Sequence, residues 1–160
     1  MLRTGCGSER FTIGTGVKIA GHGIENELDL VVLARGLMGS TKMDVMFCET
    51  SAAGKFDNKD FQRFENILLH FPQAYFAFAT LRDEVREAEM SRIRAFARTG
   101  ASAGKPHHRV VILTGNDLTP EGDSFIPRYH GSGLAYFVKR RSDMLLAGVN
   151  STHESSVTEH

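Results

Sequence analysis

Two apolar stretches of this chain each carry carboxylates, and few sheet architectures accommodate that. The first reads Glu27-Leu28-Asp29-Leu30-Val31-Val32-Leu33, and the second reads Met43-Asp44-Val45-Met46-Phe47-Cys48-Glu49. Both have the character of β-strands. A carboxylate is costly inside a sheet unless it is paired or bound to a cation. Alternation with a period of two puts Glu27 and Asp29 on one face of their strand. If the two strands pair as a hairpin, Glu49 comes to lie near Asp29 at one end of the sheet. A cluster of hard oxygen donors there suits Mg²⁺ or Mn²⁺. The competing reading puts Glu27 and Asp29 on a solvated face, with Leu28, Leu30 and Val32 turned inward.

The remaining elements follow from periodicity and breakers. Phe11, Ile13, Val17 and Ile19 alternate with small or polar residues and predict a glycine-loosened strand. Gly21-His22-Gly23 predicts a turn and residues 36–42 a loop. Asp57 is an expected N-cap, with Asp60 completing the capping arrangement. Phe61, Phe64, Ile67 and Leu68 at helical spacing predict a helix over 58–70, stopped by Pro72. Residues 74–81 read as a strand, 83–98 as a second helix, 109–114 as a buried strand and 115–117 as a turn. A final helix is expected within 131–149. Short loops favour antiparallel pairing of the first three strands, and helical crossovers favour parallel pairing of the later ones. The fold class is therefore α/β, a mixed central sheet flanked by helices. Residues 1–10 read as an irregular N-terminus, 11–149 as one domain, and 150–160 as a flexible tail.

Bulk properties exclude several classes. The chain has 160 residues, enough for one domain with a real core. Nineteen basic residues balance nineteen acidic ones, so nucleic-acid binding must come from a local patch. Cys6 and Cys48 are too few for a disulfide framework or a zinc cluster, which favours a cytoplasmic setting. No apolar run reaches the ~18 residues of a membrane span. The N-terminus carries no apolar signal-peptide core.

At Asn26-Glu27-Leu28-Asp29-Leu30-Val31-Val32 and Val45-Met46-Phe47-Cys48-Glu49-Thr50-Ser51 the chain resembles the PD-(D/E)xK nuclease superfamily, the restriction-endonuclease-like fold. In that family an acidic strand precedes a hydrophobic strand ending in Glu or Asp, any residue, Lys. A helix, a strand, a helix and a strand follow, a succession expected here over 57–114. The resemblance covers roughly residues 11–118. It implies a metal-dependent hydrolase of DNA phosphodiester bonds, with Asp29 and Glu49 as catalytic, metal-binding acids and Glu27 as an auxiliary acid. The departure is Ser51, which stands at the lysine position and carries no charge. Lys55, four residues on, is the expected substitute, and Lys59 is a more distant one. The resemblance also admits a catalytically inactive module that binds nucleic acid or a protein partner. A homodimer, or a place within a larger polypeptide, is compatible with either.

Other features read more plainly. Gly14-Thr15-Gly16, Gly21-His22-Gly23 and Gly131-Ser132-Gly133 do not match a phosphate-cradling loop. His22 and the His107-His108 pair are expected in loops. Cys48 is expected to be a small buried hydrophobe with an inert thiol. The arginines of the second helix alternate with acids, as on a solvated face with ion pairs. Lys139-Arg140-Arg141 is the densest basic run, and reads equally as a phosphate contact or a solvated helix end.

Overall fold

The computed structural model describes residues 10–21, 23–35, 43–52, 54–99, 110–118 and 134–147. The elements run β1 (Arg10–Gly21), β2 (Ile24–Arg35), β3 (Met43–Ser51), α1 (Asn58–His70), β4 (Tyr75–Thr80), α2 (Glu87–Arg98), β5 (Val110–Leu113), the short α3 (Gly115–Leu118) and α4 (Leu134–Ala147). The strands form one sheet in the order β1-β2-β3-β4-β5. β1, β2 and β3 pair antiparallel, and β3, β4 and β5 pair parallel. The reason is the connections: β3 reaches β4 through α1, and β4 reaches β5 through α2, as parallel neighbours require. The fold is α/β with a mixed sheet and flanking helices. Among the described residues no helix is long and apolar enough to cross a membrane.

β4 shows how one strand organises two faces. Its sequence is Tyr-Phe-Ala-Phe-Ala-Thr, and every residue is buried. Phe76 and Phe78 join Phe47, Phe61, Phe64, Ile67, Ile93 and Phe96 in the core on the α1/α2 side. Tyr75, Ala77 and Ala79 join Met46, Cys48, Val111 and Leu113 on the opposite side. Phenylalanines on one face, and Tyr75 with two alanines on the other, fit the period of two. The rings meet edge-on: Phe64 lies 4.9 Å from both Phe76 and Phe78, at 61° and 70°. Such edge-to-face contacts add to the gain from burial.

α4 closes the far edge of the sheet. Its first turns place Leu134 and Val138 in the second core, and its end places Leu145 in the first. Between them Ser142 Oγ accepts a hydrogen bond from the Val110 amide at 3.3 Å. A side chain thus covers a donor that an edge strand would leave open.

α1 begins as its sequence predicts. Asp57 accepts from the amides of Lys59 at 2.6 Å and Asp60 at 3.3 Å, while Asp60 accepts from the Asp57 amide at 2.7 Å. The helix buries Phe61, Phe64 and Ile67 and ends at the cap Phe71, just before Pro72.

Two boundaries differ from expectation. The second helix starts at Glu87 rather than 83, because the Glu89 carboxylate accepts from the Arg86 amide at 3.3 Å and fixes the first turn there. The turn expected at 115–117 is the helical turn α3, held by Asp117 accepting from the Thr114 amide at 2.9 Å and its hydroxyl at 3.1 Å. Gly115 is required at its start, since a Cβ there would lie 2.5 Å from the Leu81 carbonyl oxygen. The loops expected at 36–42 and 100–106, the tail at 150–160, and Cys6, His22, His107 and His108 lie outside the described residues.

Phe64 is fully buried between the two helices and the sheet. Phe64→Ala should lower unfolding free energy by about 3–5 kcal/mol, measured by urea denaturation. A loss below about 1 kcal/mol would show that this packing is not where the stability resides.

Candidate functional site

The β2–β3 ladder ends at the pair Leu30–Cys48. Asp29 and Glu49 are the next residues outward on the two strands, and there Asp29 substitutes its side chain for the ladder. Its Oδ2 accepts from the Thr50 amide at 2.7 Å and from the Thr50 hydroxyl at 2.8 Å. The backbone of β2 is thus released from β3 while the carboxylate stays fixed beside it. β2 also loses strict alternation here, since Leu28 and Val31, three apart, both belong to the α1/α2-side core.

Glu49 sits at the carboxyl end of β3 and is only 2% exposed. Arg63, from the second turn of α1, donates Nη1–H to its Oε1 at 2.7 Å. The same nitrogen donates to the Glu27 carbonyl oxygen at 3.2 Å, and Nη2 donates to Asp60 Oδ1 at 3.1 Å. One guanidinium therefore joins β2, β3 and the start of α1. Its planar fork suits this task better than an ammonium would.

The charge around Arg63 does not balance. Burial pushes the Glu49 carboxyl up to about 7; Arg63 opposes the rise, and Asp29 and Asp60 add to it. Asp60 is also raised, mainly by burial. Glu89 is a useful contrast, because it is almost as buried at 4% exposed. It accepts from both Arg82 guanidinium nitrogens at 2.8 and 2.9 Å, the Phe56 amide at 2.9 Å and the Arg86 amide at 3.3 Å. Those bonds, the Arg82 pair above all, lower its pKa. Glu89 is a satisfied structural acid. Glu49 is an under-compensated one, and perturbed carboxylates of that kind mark candidate sites.

The structure thus places Asp29, exposed and bonded to Thr50, and Glu49, buried and bonded to Arg63, just beyond the last β2–β3 pair, and sets Asp60 on the other side of Arg63. Glu27 has an exposed side chain and contributes its carbonyl oxygen to Arg63. Lys55 is exposed on the connection between β3 and α1, and among the described residues no ion pair joins it to an acid. Ser51 ends β3 and is half-buried. Sequence reasoning assigned Asp60 only to the helix cap and passed over Arg63. The available signal was the Asp60/Arg63 spacing of three, which places both on one side of α1. Cys48 is buried and its thiol is pushed up to about 12, first by burial and then by Asp29 and Glu49, so it is an inert thiol.

Several of the basic groups elsewhere are engaged internally. Arg82 forms the buried pair with Glu89, and Arg92 lies 4.1 Å over the Phe61 ring. Lys139 pairs with Asp143 and Arg141 with Asp117, and the side chain of Arg140 lies outside the described residues. Among the described residues no three His, Cys, Asp or Glu side chains are grouped as a ready metal set. No protein-family model, curated protein or solved structure matches the chain.

The raised Glu49 carboxyl has a pH consequence for the metal-free protein. The folded chain keeps this proton up to about pH 7, whereas the group in its ordinary state releases it near 4.5. The unfolded state therefore binds fewer protons between those values, and stability falls as pH rises. The fall attributable to Glu49 should be on the order of 3 kcal/mol. Glu49→Gln should flatten this part of the stability profile, followed by urea denaturation across pH 4 to 8. Parallel profiles for the two proteins would refute the assignment.

Proposed function

We propose that this domain hydrolyses DNA phosphodiester bonds with the help of Mg²⁺ or Mn²⁺, and that Asp29 and Glu49 are the acids that would hold the ion. The observation that carries this reading is a surplus of acids over bases at the end of β3, where Arg63 is bonded to both Glu49 and Asp60 and Asp29 is fastened to the neighbouring Thr50. A divalent cation relieves that surplus.

The donors fit such an ion. Glu49 uses Oε1 for Arg63 and Asp29 uses Oδ2 for Thr50. Each acid keeps a second oxygen with no donor among the described residues. Magnesium commonly takes one or two carboxylates and fills its remaining positions with water and substrate phosphate. Bound there, it would polarise a phosphoryl oxygen and lower the pKa of a water.

The chain's own groups supply the rest. Thr50 holds the Asp29 carboxylate in one orientation through two donors. Arg63 brings the positive charge that Ser51 lacks, and a guanidinium fits the oxygens of a phosphoryl group on which charge develops. Lys55 adds an exposed ammonium on the adjacent connection. The succession from β1 to β5 supports the restriction-endonuclease-like reading, since it follows the order that the resemblance leads one to expect over 11–118.

One observation favours a second reading, a nuclease-fold module that binds without cutting. Glu49 already has a close ionic partner, and no lysine follows it at residue 51. Nicking of supercoiled plasmid separates the two. The protein should nick with Mg²⁺ or Mn²⁺, and Asp29→Ala or Glu49→Ala should slow it by about 100-fold or more. DNA binding without nicking, under either metal, would refute hydrolysis and leave the binding module.

A further inference from the structure

The polar side of α1 extends beyond Arg63. Asp60, Arg63, Asn66 and His70 follow one another at spacings of three, three and four, which keeps them on one side of the helix. Arg63 faces the acids and touches the β2 backbone at Glu27. Three residues further, about 4.5 Å along the axis, Asn66 begins a pocket between α1 and the β1–β2 hairpin. This pocket has a volume of about 330 Å³ and is lined by Gly23, Glu25, Asn26, Asn66, Leu69 and His70.

Asn26 is the informative residue there. Its Nδ2 is buried and has no hydrogen-bond partner among the described residues. Buried amide donors are ordinarily satisfied, so this one calls for an acceptor that the described residues do not supply. Asn66 offers a second, exposed carboxamide. His70 uses Nδ1 against the Asn66 carbonyl oxygen at 3.1 Å, which orients the ring and leaves Nε2 for another partner. Leu69 is 79% exposed and gives the pocket an apolar wall. Carboxamides pair with the donor and acceptor edge of a base, and an apolar wall suits its flat face. The volume is at the small end for ligand sites, enough for a single ring system.

We infer that this pocket receives one unstacked nucleobase of a nucleic-acid strand whose neighbouring phosphate lies at Arg63, Asp29 and Glu49. The inference rests on the nuclease reading for the phosphate, and it deepens that reading by naming the substrate as a strand with an unpaired base beside the reacting phosphate. Asn26 and Asn66 hold the base edge, Leu69 covers its face, and the α1–β2 seam sets the distance to the acids.

The test uses the full chain, labelled with nitrogen-15 and kept free of divalent metal. Titration with dAMP, dCMP or dTMP should shift the side-chain amide signals of Asn26 and Asn66, and inorganic phosphate alone should not. A short single-stranded oligonucleotide should bind Asn66→Ala about tenfold more weakly than the unaltered protein, by fluorescence anisotropy, with blunt duplex affected less. Asn66 is exposed, so this variant keeps the fold, which its spectrum will verify. Equal strand binding by Asn66→Ala, or amide shifts produced equally by phosphate, overturns the pocket assignment. Metal-dependent nicking with no base-dependent shift overturns the pocket and keeps the nuclease reading. Base-dependent shifts without nicking keep the pocket and overturn hydrolysis.

Discussion

One guanidinium sets the arrangement at the carboxyl end of β3. Arg63 reaches from α1 to the Glu49 carboxylate, the Glu27 carbonyl and the Asp60 carboxylate. Glu49 is inside the sheet-helix layer, where an unpaired carboxylate would be strongly unfavourable. Arg63 makes that placement tolerable without cancelling its cost, because burial raises the carboxyl and Asp29 and Asp60 add to the rise. Removing one partner of such a buried pair leaves an uncompensated charge, so neither residue can be considered apart from the other.

The two buried glutamates show how a satisfied acid differs from an under-compensated one. Glu89 uses four donors to fasten α2 to the β4 end and to the segment before α1. Glu49 has one donor group and a surplus of like charge. Burial is nearly the same for both, so exposure alone would not have separated them. Hydrogen-bond count and the sign of the surrounding charge do.

Much of the fold could be read from the chain because its signals are local. Apolar runs around Val31 and Phe47, short connections among the first strands, and the Asp57/Asp60 box each declare an element within a few residues. The mixed sheet follows from where helices intervene. What escaped the sequence depends on distant partners. Arg63 is fourteen positions from Glu49, and Arg82 is seven from Glu89, across a segment that periodicity extended as helix. Interleaved charges near α2 looked like a solvated face, yet Arg82 and Glu89 are withdrawn into the interior. The acids Asp29 and Glu49 were visible as strand residues, but the direction of the Glu49 shift depends on burial that only the packed helix creates.

Asp60 serves two masters. One of its oxygens accepts the Asp57 amide that opens α1, and the other holds Arg63. Helix initiation and placement of the cation are thus thermodynamically linked. Any change in how Arg63 is held alters the charge on the carboxylate whose other oxygen opens the helix. The fraying of α1 thus becomes a gauge of the state of Arg63, readable far from Glu49 itself.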